Sequence, residues 1–147
     1  VTARKDATEE VVAVSYDFKL SCTLRAPPEA VYEAWLSSAA HGAMTGGKAK
    51  ASKKVGAAFS AWDGYITGRN IELVPGKRIV QSWRTSEFAA DDPDSTIAVV
   101  LTPVKAGARL TLSHSNVPDG QTSYEKGGWR DHYFEPMKAY FARKFPR

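Results

Sequence analysis

From Tyr16 to Arg25 the sequence alternates without a break. Tyr16, Phe18, Leu20, Cys22 and Leu24 are apolar, and Asp17, Lys19, Ser21, Thr23 and Arg25 are polar. A period of two means a strand with one dry face and one wet face. A dry strand face needs a cover, so the rest of the chain is read for the strands that extend that face and the element that closes it.

The extending strands are marked by their turns. Trp62-Asp63-Gly64-Tyr65 places Asp-Gly between two strand-like runs, a strong short-range hairpin signal. Val74-Pro75-Gly76-Lys77 is a second turn and leads into a strand over Arg78 to Thr85. Phe88 to Ser95, with Asp91, Asp92 and Asp94, reads as a polar loop. Thr96 to Val104 and Arg109 to Ser115 form another hairpin around Lys105-Ala106-Gly107. Strand parity puts Ile79, Gln81 and Trp83 on one face and Ser82 and Arg84 on the other. Leu110, Leu112 and His114 share a face. Phe59 and Trp62 fall on opposite faces unless a bulge intervenes.

The cover is at the C-terminal end. Trp129, Tyr133, Met137 and Tyr140 recur at helical spacing and make one apolar face. Thr122 and Glu125 have the spacing of a capping box. Gly127-Gly128 weakens this helix, and Pro136 predicts a kink near Asp131 to Tyr133. Earlier, Pro27-Pro28 ends the first strand and opens a helix that runs to about Leu36, with Val31 and Trp35 inward. A second short helical turn precedes Thr45-Gly46-Gly47. The order is strand, short helices, antiparallel strands, long helix: a two-layer α+β domain over residues 15–147, with residues 1–14 a loose polar arm.

Composition narrows the function. The 147 residues fit one domain, and the net charge is +4. Lys48, Lys50, Lys53 and Lys54 form the densest positive run. No aromatic interleaving of the kind that stacks bases accompanies it, so no nucleic-acid partner is expected. The run reads as a solvated strand edge and a candidate protein-partner surface. Cys22 is the single cysteine, which forms no disulfide within the chain and sits on the dry face as a small core residue. No stretch approaches the roughly 18 apolar residues of a membrane span, and a cytoplasmic protein is expected. His41, His114 and His132 lack metal-ligand spacing. Neither Gly46-Gly47 nor Gly127-Gly128 matches a phosphate loop, and no nucleophile elbow occurs. Asp91, Asp92 and Asp94 lack the glycine and distant glutamate of a calcium loop. The expectation is no metal, no cofactor and no catalytic residue.

Three runs carry a family resemblance. They are Asp63-Gly64-Tyr65-Ile66-Thr67-Gly68, Glu72-Leu73-Val74-Pro75, and Lys77-Arg78-Ile79-Val80-Gln81-Ser82-Trp83-Arg84. Together they resemble the central signature of the C-terminal domain of activators of the ninety-kilodalton heat-shock chaperone's ATPase. Gly128-Trp129-Arg130-Asp131-His132-Tyr133-Phe134-Glu135-Pro136-Met137-Lys138 resembles that domain's final helix. The likeness keeps the same order from about Tyr16 to Phe145. It implies a helix-grip fold of the START/birch-pollen-allergen superfamily. In that fold a curved antiparallel sheet of six or seven strands grips a long C-terminal helix, and two short helices close one end. The superfamily includes lipid carriers, hormone receptors and aromatase/cyclases, often with a cavity between helix and sheet. The eukaryotic co-chaperones carry a further N-terminal domain with a major chaperone contact, and the first fourteen residues here show nothing similar.

Parity and resemblance together nominate Trp35, Trp83, His114, Trp129, Tyr133 and Met137 to line a helix–sheet cavity for an apolar or amphipathic small molecule. His114 is the candidate to orient a ligand hydroxyl or carbonyl. Arg84 is a candidate for an anionic ligand, although parity points it away. The alternative is a chaperone-ATPase partner met through the lysine edge. A lesser alternative is an aromatase/cyclase-type enzyme, for which no acid–base pair stands at a defensible position.

Overall fold

The computed structural model describes residues 15–146. The expected arm, residues 1–14, lies outside them. Strand β1 spans Ser15–Leu24, followed by helices α1 (Pro28–Trp35) and α2 (Ser38–Thr45). Strands β2 (Ala58–Ala61), β3 (Ile66–Val74), β4 (Arg78–Thr85), β5 (Ser95–Val104) and β6 (Gly107–Pro118) come next. The terminal helix has two π-type segments, Tyr124–Gly128 and Arg130–Phe134, and then α3 (Glu135–Lys144). All neighbouring strands are antiparallel, in the order β1-β6-β5-β4-β3-β2. This is the helix-grip architecture.

Register carries the dry face across the sheet. Leu20 pairs with Leu112, which pairs with Val99, which pairs with Ile79. Phe18, His114, Ile97 and Gln81 form the adjacent row. These rows meet Met137 and Phe141 of α3, both essentially inaccessible. The face is dry at its centre and half-dry on β1, an edge strand whose Phe18, Leu20 and Cys22 keep some exposure. Burial pushes the Cys22 thiol up to about 11, which suits an inert packing residue.

Local chemistry explains the element ends. Pro28 opens α1 after an extended Pro27. Ser37 accepts the Ala40 N–H at the start of α2, and Gly46 ends it in the left-handed region. The Val74–Lys77 turn closes through Lys77 N–H to Val74 O at 2.9 Å, with Gly76 at φ 72. Arg84 lies outward and is consumed by the loop before β5. It donates to Asp94, Asp92 O and Ala89 O, so it organises the polar turn rather than facing an internal ligand.

The terminal helix departs from expectation at its start. Ser123 holds the cap position in helical geometry without a side-chain cap bond, so the Thr122–Glu125 box does not form. The Tyr16 hydroxyl ties the start of this element to β1 by donating to Gln121 O at 2.7 Å. The break in helical geometry is at Gly127, with φ 164 and ψ −19. Pro136 falls in the first turn of α3, where no N–H is needed. The turn before it widens into the π pattern over Arg130–Phe134, overlapping the expected kink. The long element is thus bent by its glycines and loosened by its proline.

One close approach in the sheet gives a test. A Cβ on Gly68 would overlap the Ser82 carbonyl and the Phe59 ring. Gly68→Ala is expected to lower the unfolding free energy in urea by about 2 kcal/mol or more. Thr67→Ala, one exposed position earlier, is expected to cost less than about 1 kcal/mol.

Candidate functional site

The terminal helix is sewn to the sheet by a histidine. Trp129 donates its indole N–H to His114 Nδ1 at 3.1 Å. Ser95 Oγ lies 2.9 Å from His114 Nε2 and donates its own proton to Trp83 O at 2.6 Å. Ser95 therefore accepts from the Nε2–H, and His114 is neutral with its proton on Nε2. Burial pushes its pKa down to about 3. His41 is locked in the mirror sense. Its Nδ1–H donates to Trp35 O and its Nε2 accepts from the Tyr133 hydroxyl, both at 2.8 Å. Burial lowers the His41 pKa and raises that of Tyr133. The partners of both histidines are thus supplied by the protein itself.

A second buried polar line runs under α1. Trp35 Nε1–H donates to Gln81 Oε1 at 3.2 Å, and Gln81 Nε2–H donates to Asn70 Oδ1 at 2.9 Å. Asn70 then donates to Ser52 O and Lys54 O, each at 2.9 Å. The line ends in the lysine segment. Lys50 pairs with Ser60 through reciprocal backbone bonds of 2.9 Å, so this segment covers the outer edge of β2. Lys48, Lys50, Lys53 and Lys54 are exposed on it. Lys53 meets Glu33 at 2.8 Å, an exposed pair of small energetic weight.

The six nominated residues are all buried, and the five with rings, Trp35, Trp83, His114, Trp129 and Tyr133, gather in one cluster. Trp129 stands 4.9 Å from Tyr133, 5.5 Å from Trp83 and 6.5 Å from Trp35 between ring centroids. Trp83 meets His114 edge-on at 4.6 Å. Their side chains fill the centre of the seam. Space remains to one side, where the bend of the terminal helix passes over β3, β4 and the β2–β3 turn. There a cleft of about 590 Å³ is lined by Trp83, Trp129 and Tyr133 together with Trp62, Tyr65, Ile66 and Tyr124. Lys126, Asp131 and His132 complete its wall from the exposed side of the helix. Trp35, His114 and Met137 stand behind this wall rather than on it.

The buried polar groups of the cleft wall are phenols. Tyr124 donates to Gln121 Oε1 at 2.7 Å, and its hydroxyl lies 2.8 Å from Thr85 Oγ1. Tyr65 stands beside Thr85, Tyr124 and the Glu87 carboxylate. Burial raises the pKa of both phenols, so they remain protonated at neutral pH. Among the described residues no cluster of three or more His, Cys, Asp or Glu could hold a metal ion.

The family model described as Activator of Hsp90 ATPase homolog 1-like protein matches residues 25–142. The chain belongs to this family. Human activator of 90 kDa heat shock protein ATPase homolog 1 is 26% identical over 119 residues, covering 81% of this chain and 35% of the human protein. The chain therefore spans about a third of that relative's length. A crystal structure described as an HSP90 activator from Plasmodium falciparum superposes with TM-score 0.77 at 25% identity, covering 85% of this chain and 95% of that one. A crystal structure of a Chromobacterium violaceum protein gives TM-score 0.70 at 29% identity over 90% of this chain and 99% of that one. This member of the Activator of Hsp90 ATPase homolog 1-like family therefore has the helix-grip fold of its structural relatives.

Sequence reasoning missed Trp62, Tyr65 and Tyr124 on the cleft wall, and His41, Asn70 and Ser95 in the polar lines. Gln81 was legible: a polar residue between Ile79 and Trp83 on a dry face must be hydrogen-bonded. Trp62 was not, because it leaves the strand in a turn whose residues Trp62, Asp63 and Gly64 have φ of 52, 58 and 89. Turn geometry, not parity, directs it. Phe59 and Ala61 face inward as a strand pair should.

The locked histidine predicts a pH dependence. In the unfolded chain His114 takes a proton below its ordinary value near 6.5, whereas in the fold it does so only near pH 3. Its stabilisation is complete above about 6.5 and is lost as pH falls toward 3, by up to about 1.4 kcal/mol per pH unit. His114→Asn, which removes the titration, should give a flatter profile than the parent in that window when urea unfolding is followed at successive pH values. Parallel profiles would contradict the neutral, doubly bonded histidine.

Proposed function

We propose that this domain binds an apolar or amphipathic small molecule in the cleft under the bent terminal helix. The observation that carries the reading is the cleft itself, about 590 Å³ walled mainly by indole and phenol rings. That volume lies within the usual range of about 300–1,000 Å³ for ligand pockets. The aromatic wall supplies contact area, and the groups on its exposed side, Lys126, Asp131 and His132, are the polar side chains nearest a guest. His114 supports the site indirectly: it holds Trp129 in place and takes no part in contact with a guest. Trp35 and Met137 back the same wall. A cytoplasmic setting belongs to this reading, and no helix among the described residues is long and apolar enough to cross a membrane. A ligand at 100 times its dissociation constant should add about 2.7 kcal/mol of stability. A thermal-shift screen with fatty acids, sterols and flavonoids reads this as a rise in Tm, and a native mass spectrum reads the bound mass. No rise with any compound and no bound mass would remove the reading.

A second reading rests on kinship. The human relative is named as an activator of the 90 kDa heat shock protein's ATPase. Here the domain would meet a chaperone through the segment bearing Lys48, Lys50, Lys53 and Lys54, whose backbone Asn70 pins at two carbonyls. Changing the four lysines to glutamate is expected to abolish capture of the chaperone at low salt and any change in its ATPase rate. The parent should bind less tightly as salt rises. Equal capture by parent and variant would remove the lysine surface from the account.

A further inference from the structure

The inner wall of the cleft has spent its donors. Trp129 gives its indole N–H to His114, Tyr133 its hydroxyl to His41, and Tyr124 its hydroxyl to Gln121. An acceptor oxygen of a guest placed against these rings would lose its water and gain no donor. The part of a guest that lies inside is therefore apolar, and any acceptor it carries belongs at the rim. Lys126, Asp131 and His132 line the cleft and are exposed, so they mark where it meets water. Two of these three are occupied. Asp131 Oδ1 takes Arg130 Nε at 3.1 Å. That pair folds over Gly127, where a Cβ would lie 3.1 Å from Asp131 Oδ2 and 3.2 Å from Arg130 Nη2. His132 sets its ring edge-on to Trp62 at 5.5 Å and so bridges the terminal helix to the β2–β3 turn. That turn is fixed in place, with Asp63 N–H donating to Lys48 O at 2.9 Å and Gly47 packed against the Trp62 ring. Lys126 is the charge left over. Among the described residues it makes no ion pair.

A dry, ring-walled space thus opens beneath one unpaired ammonium. We propose that the cleft takes an amphipathic organic anion, with its apolar body against the rings and its carboxylate at the rim against Lys126. This rests on reading the cleft as a ligand site and adds the charge of the guest and the residue that selects it. A neutral guest of the same shape fills the same space but leaves Lys126 to water. A cation meets only an Asp131 that Arg130 already neutralises. The pairing at the rim is open to water, so it tunes selection, while the apolar body supplies most of the affinity. Lysine is a point charge on a flexible stem, so it can follow the carboxylate of an alkyl or an aromatic body.

Two matched pairs of probes test it: decanoate with 1-decanol, and 1-naphthaleneacetate with 2-(1-naphthyl)ethanol. Within each pair the apolar body is shared, and a carboxylate replaces a hydroxymethyl group. Affinities are measured by isothermal titration calorimetry at neutral pH for the parent, Lys126→Met and Lys126→Arg. Comparing the acid-to-alcohol affinity ratio between parent and variant cancels the different hydration of the two probes. The ratio is expected to fall roughly twofold to fivefold in Lys126→Met, as an exposed ion pair gives, and to return in Lys126→Arg. The alcohols should bind all three proteins alike, and the parent's ratio should fall as salt rises. A fall confined to one pair supports the pairing and identifies the body, alkyl or aromatic. A ratio that Lys126→Met leaves unchanged in both pairs would overturn the anion class and the role of Lys126, while bound alcohols would leave the cleft reading intact. No binding of any of the four probes would overturn both.

Discussion

A histidine without a charge holds this fold together. Trp129 reaches from the terminal helix to His114 in the sheet, and His114 donates its Nε2–H to Ser95, whose hydroxyl donates to the backbone carbonyl of Trp83. Each link has one donor and one acceptor, so the chain works in one protonation state only. It fixes the rotation of the helix over β4, β5 and β6, and with it the positions of Trp83 and Trp129. The aromatic cluster is built on that placement. The His41–Tyr133 bond secures the same helix one turn further along, against α2. Buried polar chains of this kind are costly when broken and specifying when complete.

The consequence is a division of the space between helix and sheet. Where the helix is tied, large side chains fill the seam and leave nothing for a guest. At Gly127 the helix bends, because that residue leaves helical geometry within the π-type segment Tyr124–Gly128, and a second wide segment, Arg130–Phe134, follows. The cleft opens at that bend. Its far wall comes from the β2–β3 turn, held by Gly47 and the Lys48 carbonyl. The features that weaken the terminal helix are thus the ones that make room. The lysine segment belongs to the same construction, since it supplies the turn's hydrogen-bond partner and is itself pinned by Asn70. A partner protein on that segment and a guest in the cleft would lie on two sides of one short stretch of chain.

Much of the fold was legible because burial imposes a period. The dry face of β1, the inward parity of Ile79, Gln81 and Trp83, and that of Leu110, Leu112 and His114 follow from alternation, and the sheet register carries them through. Arg84 was legible as outward for the same reason. The cleft was legible only in part. Trp83, Trp129 and Tyr133 sit on periodic elements, and parity finds them. Trp62 sits in a left-handed turn and Tyr124 in a π-type segment, where neither period applies. The buried role of His41 depends on the approach of α2 to the terminal helix, a contact between elements far apart in sequence. The capping box at Thr122 and Glu125 had the right spacing, but Ser123 rather than Thr122 takes the cap position, which spacing alone does not reveal.

His114 is the neutral tie between helix and sheet. The direct measurement is the pair of imidazole nitrogen resonances of His114 in labelled protein, followed with pH. A proton on Nε2 and a bare Nδ1, unchanged from neutral pH down to about pH 4, is the predicted result. A proton on Nδ1, or a ring that titrates near its ordinary value of about 6.5, would contradict the tie and the cleft geometry built upon it.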